Sequence, residues 1–241
     1  MKRIVCKRLY RSPVIRKPLN SLWRKPRFFN KDDYSDNVVK LIIGTNVAVF
    51  LGWQYARAKS QSKGDRSTEI WMYKNFSSSY SNLADYRVWT LVTNSFSHTD
   101  IIHLGINMFV LHSFGPALIA SIGAREFTRL YFSSAIGSSL ASIAYQKSTV
   151  SYDFLGRPTN SRFSIGASGS ISGITCCYAA MHPFAQVYFF GLVPMPIWAA
   201  TAGFIAYDAY RGFSRTSGIV DSAGHLGGAA TGILWYFARI R

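Results

Sequence analysis

The sequence predicts an all-α membrane protein built as a bundle of six transmembrane helices. After a basic start, the chain contains six apolar runs, several of them close to the roughly twenty residues that span a bilayer. Polar connections separate these runs, and the sequence shows neither a repeat of fixed period nor a separate soluble domain. The predicted spans are 38–55, 101–122, 127–145, 166–182, 196–210 and 222–240.

The chain begins with a strongly basic leader. Residues 1–31 hold eleven of the 27 Lys and Arg residues, and no acidic residue occurs before Asp32. A basic, acid-free leader is typical of a mitochondrial transit peptide, whereas a secretory signal needs a continuous apolar stretch. We therefore predict that residues 1–35 form a presequence that is removed and that residues 36–241 form the membrane core.

Clustered Lys and Arg residues can instead form a basic arm that binds nucleic acid or anionic lipid. The leader contains few aromatic residues, and no nucleic-acid-binding module follows it. The sequence therefore predicts a protein without a nucleic-acid partner.

The start of the fifth span depends on two prolines, Pro194 and Pro196, which interrupt an apolar stretch. Because proline fits the first turn of a helix better than its interior, we place the helix start at Pro196. Residues 185–193 are then a connecting stretch at the membrane edge. Six spans traversed in order make the second, fourth and sixth parallel, so their N-terminal ends lie at one membrane face.

Residues suited to a serine hydrolase lie near those three N-terminal ends, namely His103, Ser168 and His225. A helix start leaves backbone N–H groups unpaired, and the glycines of the Gly-Ala-Ser-Gly motif at 166–169 allow close approach of a substrate. We predict Ser168 as the nucleophile and His225 as its base. His103 and Asn107 are four residues apart and share one helix face, which fits two donors of an oxyanion hole.

Small residues in the sixth span predict tight helix packing. Gly228 and Gly232 are four apart and flatten one face. If the neighbour is the fourth span, which is rich in glycine, His225 could come within hydrogen-bond reach of Ser168. A small-residue helix is more often a packing surface than a nucleophile site. The coincidence of all the required groups on parallel helices favours the catalytic interpretation.

Other reactive residues favour structural roles. The five histidines show no His-Glu-x-x-His pair, so we expect no metal site and no cofactor. Cys176 and Cys177 are interpreted as core residues without a disulfide framework. Asp208, near the end of the fifth span, is assigned a structural hydrogen-bonding role in preference to a catalytic one.

These residues together resemble the rhomboid family of intramembrane serine proteases, and specifically its mitochondrial branch. The resemblance covers about residues 85–241, and the motif residues follow the family's order in the second, fourth and sixth helices of a six-helix core. The residues that carry it are His98, His103, Asn107, the Gly-x-Ser-Gly motif with Gly166, Ser168 and Gly169, and His225 with Gly228 and Gly232.

The resemblance implies a Ser168–His225 dyad without a carboxylate. It further implies an oxyanion hole formed by His103, Asn107 and the backbone N–H of Ser168, with His98 supporting the first loop. Ser172 stands where some members carry a tyrosine stacked on the catalytic histidine. What orients His225 in this chain is therefore left open.

The implied function is cleavage of single-span transmembrane proteins in the mitochondrial inner membrane. The implied protein is multi-pass and in contact with the lipid bilayer, its site faces the intermembrane space, and its oligomeric state is open. One alternative is a catalytically inactive rhomboid-like scaffold that binds transmembrane helices, which would be expected to lack the serine or the histidine. A second is a transporter, which would usually carry ionisable residues near the bilayer midplane.

Overall fold

The computed structural model describes residues 33–149, 163–189, 192–214 and 221–241, and this part of the chain is mostly helical. The predicted presequence lies almost entirely outside the described residues and stays a prediction. The helices are α1 Asp33–Lys63, α2 Ser67–Phe76, α3 Tyr80–Ala84, α4 Thr90–Thr93, α5 Ile101–Ile122, α6 Ala124–Thr149, α7 Ser168–Met181, α8 Ile197–Phe213 and α9 Ser222–Trp235.

Helices occur at all six predicted spans, as α1 and α5 to α9. Helix α5 has the predicted bounds, whereas α1 and α6 extend beyond theirs at both ends. Helix α9 is continued by a π-helical turn, Tyr236–Ile240. Among the described residues, two stretches are long and apolar enough to cross a membrane, Asn37–Lys63 and Ile101–Ile122. The count of six spans thus stays a prediction for the other four helices.

The polar connection predicted at 56–100 is largely helical. It contains α2, α3, α4 and a single 3-10 turn, Asn94–Phe96. Helix α2 packs on α1 through a small cluster in which Trp53, Ala56 and Met72 are buried. The connection is therefore a folded element that rests on the first helix, and it ends shortly before α5.

A β-hairpin occupies the connecting stretch that was predicted before the fifth span. Strands β1 (Gln186–Phe189) and β2 (Val193–Pro196) pair antiparallel, with Gln186 opposite Pro196. Pro196 is the N-cap of α8, whose first residue is Ile197. The predicted helix start was therefore one residue early, because Pro196 has an extended backbone with a ψ of 142°.

The core lies where α6, α7 and α9 pack together, with α5 against their side. Its fully buried apolar side chains come mainly from α5, α6 and α7. They include Leu111, Leu118, Phe127, Leu130, Ile174 and Cys177. Because α9 contributes mostly small residues to this core, its backbone comes close to both α6 and α7.

Candidate active site

Ser168 and His225 are hydrogen-bonded to each other. Ser168 is the first residue of α7, and His225 lies in the first turn and a half of α9. The Oγ of Ser168 is 2.8 Å from the Nε2 of His225, and both residues are partly buried. The two side chains thus have the spacing that a serine nucleophile and its base require.

Two glycine pairs bring α7 and α9 together below these residues. A Cβ placed on Gly228 would overlap the carbonyl group of Gly169, and one placed on Gly232 would overlap that of Gly173. The backbones therefore touch directly, as small residues permit between membrane helices. Helix α7, which corresponds to the predicted fourth span, is thus one of the helices against which α9 packs closely.

Gly166 lies close to both Ser168 and His103 of α5. Its φ is +130°, a backbone conformation that favours glycine. A Cβ added to Gly166 would lie 2.9 Å from the Cε1 of His103 and 3.7 Å from the Oγ of Ser168. The absence of a side chain at Gly166 therefore lets the ring of His103 lie close to the backbone that precedes Ser168. Its own N–H donates to the carbonyl oxygen of Asn94 at 3.0 Å.

His98 holds the turn that precedes Ser168. This fully buried side chain accepts a hydrogen bond at Nε2 from the N–H of Ala167, at 3.4 Å. Burial, together with the neighbouring His103, lowers the pKa of His98 to about 3. The ring is therefore neutral at physiological pH, which is the state in which Nε2 can accept this bond.

The predicted oxyanion donors lie on α5 in different surroundings. The carboxylate of Asp100, the N-cap of α5, accepts a hydrogen bond from the N–H of His103 at 2.9 Å. The ring of His103 packs edge-on against that of His98, with centroids 5.0 Å apart. Asn107 is buried, and its Nδ2 donates to the carbonyl oxygen of His103 at 2.8 Å. The structure thus brings His103 beside Ser168, while the described contact of the Asn107 amide is within its own helix.

Asp208 contacts His225, a pairing that was not predicted from the sequence. Its Oδ2 lies 3.0 Å from the Nδ1 of His225, and Asp208 is buried in α8. The resemblance implied a serine–histidine pair without a carboxylate, and the residues alone suggested only a structural hydrogen bond. The available signal was an acidic residue in an otherwise apolar helix, which is unusual enough to suggest function. Its partner lies 17 positions away, on another helix.

Asp221 was also missed, and it connects the two segments that carry Ser168 and His225. As the N-cap of α9 it accepts a hydrogen bond from the N–H of Gly224 at 2.9 Å. The hydroxyl of Ser164 donates to the same carboxylate. Ser164 in turn pairs with Ser78 through two backbone hydrogen bonds of 2.8 and 2.9 Å. The loop before α7 is thereby attached both to α9 and to the first connection.

The two cysteines of α7 and the possible metal ligands were also considered in the sequence. Cys176 and Cys177 are buried and free, as predicted for core residues. Within the described ranges, no group of three or more His, Cys, Asp or Glu residues could hold a metal ion.

Comparison with known proteins identifies the family. The family model described as "Rhomboid domain" matches residues 85–241. The chain is 35% identical over 113 residues to "Rhomboid protein 1, mitochondrial" of Saccharomyces cerevisiae. The aligned region is 46% of this chain and only 30% of the yeast protein. This relative is mitochondrial, in agreement with the predicted mitochondrial branch. The rhomboid domain matches more than half of the sequence, so the chain belongs to the rhomboid family.

Proposed function

We propose that this rhomboid is an active intramembrane serine endopeptidase. The observation that carries the proposal is the 2.8 Å contact between the Oγ of Ser168 and the Nε2 of His225. A scaffold that only binds transmembrane helices does not require a serine hydrogen-bonded to a histidine at the start of a helix. The catalytic roles of both residues belong to the proposal.

The first chemical step forms an acyl-enzyme. The Oγ of Ser168 attacks the carbonyl carbon of the substrate while the Nε2 of His225 takes its proton. That proton then passes to the leaving amine as the peptide bond breaks. In the second step, water attacks the ester, His225 takes a proton from the water, and Ser168 is released with its hydroxyl restored.

The oxyanion is stabilised at the start of α7. The N–H of Ser168 is one of the unpaired amides of the first helical turn, and the ring of His103 lies beside it across Gly166. Asn107 completes the set through its second amide hydrogen, because Nδ2 carries two and one is used within α5. Removing one such donor typically slows a hydrolase by about 10²- to 10³-fold.

The surroundings of the site support a membrane location. Helices α1 and α5 both expose large apolar side chains, among them Leu41, Leu51, Ile102, Ile106 and Phe109. Many large apolar side chains exposed on the same helices are unfavourable in water and mark contact with lipid or protein. In the proposal α1 and α5 to α9 are the six spans. Helix α7, with 14 residues, is only about 21 Å long and lies inside the bundle.

The proposed substrates are single-span membrane proteins. A membrane helix hides its carbonyl groups in its own hydrogen bonds, so a substrate must unwind locally before Ser168 can attack. This favours substrates with helix-weakening residues near the cleaved bond. The basic leader and the similarity to a mitochondrial relative support the mitochondrial inner membrane as the location, with the site toward the intermembrane space.

The proposal is tested with the full chain in liposomes that contain a single-span substrate. Ser168→Ala is expected to abolish cleavage and labelling by a fluorophosphonate, and His225→Ala to be as inactive as the Ser168→Ala,His225→Ala double variant, because the pair acts as one unit. Ser113→Ala is the matched control, since the Ser113 hydroxyl donates to the carbonyl oxygen of Phe109 within its own helix. An unmodified protein that binds the substrate helix but neither cleaves it nor reacts with the probe would be a scaffold.

A further inference from the structure

We propose that Ser164 and Asp221 are positioning residues for the reaction, and that the hydrogen bond between their side chains aligns Ser168 with His225. The inference rests on the proposed protease function and adds two residues that act through the serine and the histidine. It concerns how two segments far apart in the chain are kept in register at the site.

The two contacts are equally spaced along the two segments. Ser164 lies four residues before Ser168, and Asp221 lies four residues before His225. The bond from Ser164 to Asp221 and the bond between Ser168 and His225 each join positions that are 57 apart. The same alignment of the two segments therefore produces both contacts.

The glycine contacts between α7 and α9 lie on the other side of the site. Gly169 and Gly173 follow the serine in the chain, and Gly228 and Gly232 follow the histidine. Ser168 is the first residue of α7, so the residues before it lie outside the helix. A contact that precedes both reacting residues is needed to fix the start of α7 against the start of α9, and the Ser164–Asp221 bond is such a contact.

Asp221 uses both oxygens of its carboxylate. Oδ1 accepts a hydrogen bond from the N–H of Gly224 at 2.9 Å, and Oδ2 accepts one from the hydroxyl of Ser164. Hydrogen bonds to an ionised acceptor are stronger than those between neutral groups. The backbone carbonyl oxygen of Asp221 also accepts from the N–H of His225 at 3.0 Å. A displacement of Asp221 is therefore transmitted to the backbone that carries His225.

The space around this carboxylate is closely filled. A Cβ added to Gly224 would lie 2.6 Å from Oδ2 of Asp221 and 3.0 Å from the Oγ of Ser138. The glycine thus leaves room for the carboxylate in the orientation that reaches Ser164. A larger residue at position 224 would have to displace it.

Ser164 is fixed from its other side by the first connection. Its N–H donates to the carbonyl oxygen of Ser78 at 2.8 Å, and its carbonyl oxygen accepts from the N–H of Ser78 at 2.9 Å. Ser78 is fully buried. Ser164 is therefore a fixed point on the folded connection, against which Asp221 and the start of α9 are aligned.

A small change in this alignment has a large effect on the reaction. The Oγ of Ser168 and the Nε2 of His225 are 2.8 Å apart, and a displacement of about 1 Å takes them beyond hydrogen-bond distance. A misplacement of about 1 Å can slow an enzyme by about 10²-fold. Loss of the Ser164–Asp221 bond should therefore lower kcat while the substrate still binds.

The test removes this bond from either end. Ser164→Ala deletes the donor, whereas Ser164→Thr keeps a hydroxyl. Asp221→Ser keeps a good N-cap residue for α9, but its single oxygen cannot serve both Gly224 and Ser164. Ser113→Ala is the control for loss of a serine hydroxyl, and Asp85→Ser is the control for loss of a carboxylate, because Asp85 is an exposed residue paired with Arg87.

The measurement is kcat and KM for the liposome substrate, corrected for folded protein by thermal unfolding. We expect Ser164→Ala and Asp221→Ser each to lower kcat by about 10- to 10²-fold, with KM within about twofold. The rate of reaction with a fluorophosphonate should fall in parallel, and Ser164→Thr should keep at least about a third of kcat. The double variant should be within about twofold of the slower single variant, because both substitutions remove one contact.

A role in stability alone would lower the unfolding temperature and leave the kcat of the folded protein unchanged. A kcat within about threefold of the unmodified protein for Ser164→Ala, or additive losses in the double variant, would overturn the inference. A Ser164→Thr variant as slow as Ser164→Ala would also overturn it. If Ser164→Ala does not fold, the comparison of Asp221→Ser with Asp85→Ser makes the same test.

The outcome for this inference can be separated from that for the proposed function. If the unmodified protein cleaves and Ser168→Ala does not, a result against Ser164 and Asp221 leaves the proposed function intact. If the unmodified protein neither cleaves nor reacts with a fluorophosphonate, the proposed function fails and the inference fails with it.

Discussion

The carbonyl oxygen of Gly173 in α7 occupies the space that a Cβ on Gly232 of α9 would need. One turn closer to the site, Gly169 and Gly228 are related in the same way. The next contact along the two helices is the hydrogen bond between Ser168 and His225. Direct contact of two backbones thus brings the serine and the histidine within 2.8 Å of each other.

Substitution of Gly232 by Ala tests this relationship away from the reacting groups. The added methyl group must separate α7 from α9, and overpacking of this kind typically costs about 1–3 kcal/mol. We expect a lower thermal unfolding temperature and reduced cleavage of the liposome substrate. Gly203→Ala in α8 is the control, because in the described part of the chain no atom beyond the neighbouring residues and backbone of its own helix lies within 4 Å of a Cβ at that position. Equal unfolding temperatures for the two variants would contradict the close packing.

Substitution of Asn107 by Ala separates catalytic from structural roles on α5. We expect kcat to fall by about 10²- to 10³-fold, the usual effect of losing one oxyanion donor, with little change in unfolding temperature. Asn75→Ala is the matched control, because the Asn75 amide also donates to the carbonyl oxygen four residues earlier. A fully active Asn107→Ala variant would assign Asn107 to helix structure alone.

His98 predicts a pH dependence of stability. Burial lowers its pKa to about 3 in the folded chain, against an ordinary value of 6.5. Between these values the unfolded chain binds a proton at His98 that the folded chain does not. The contribution of the buried neutral ring is therefore complete above about pH 6.5 and is lost as the pH falls toward 3.

The measurement is thermal unfolding between pH 7.5 and 4.5. His98→Gln should weaken the pH dependence, since the amide oxygen can still accept the hydrogen bond from Ala167 but does not titrate in this range. His112→Gln, at an exposed position of α5, controls for the change of residue type. An unaltered slope for His98→Gln would show that another group causes the loss of stability.

The basic leader predicts import and processing. Eleven basic residues without an acid are drawn toward a compartment with a negative interior. Residues 1–35 fused to a soluble reporter should therefore send it to mitochondria, and a version with Gln at the eleven basic positions should stay in the cytosol. Terminal sequencing should find a mature chain that starts well after residue 1.

The orientation of the site is a separate part of that prediction. In mitochondria whose outer membrane has been opened, added protease should reach the loop 146–165 if Ser168 faces the intermembrane space. If this loop is protected until the inner membrane is also opened, Ser168 faces the matrix and the predicted orientation is wrong. A full-length N-terminus with a cytosolic reporter would place the chain in another membrane.

The sequence by itself determined those features that depend on residues close together in the chain. Apolar runs located six helices, and the bounds of α5 were predicted without error. The glycine motif marked Ser168 at a helix start, and Gly228 and Gly232 marked a flat face of α9. Such features depend on near neighbours in the chain, so they can be recognised before the helices are packed.

Only the tertiary structure decided which side chains contact each other between different helices and loops. Asp208 looked like an isolated polar residue until the pairing of α8 with α9 placed it on Nδ1 of His225. The role of Asp221 was likewise not recognisable from the sequence, because its hydrogen bond with Ser164 forms only in the folded chain. These contacts join positions 17 and 57 residues apart in the chain. They depend on how α8 and α9 lie against the rest of the fold, which no periodicity within a single helix specifies.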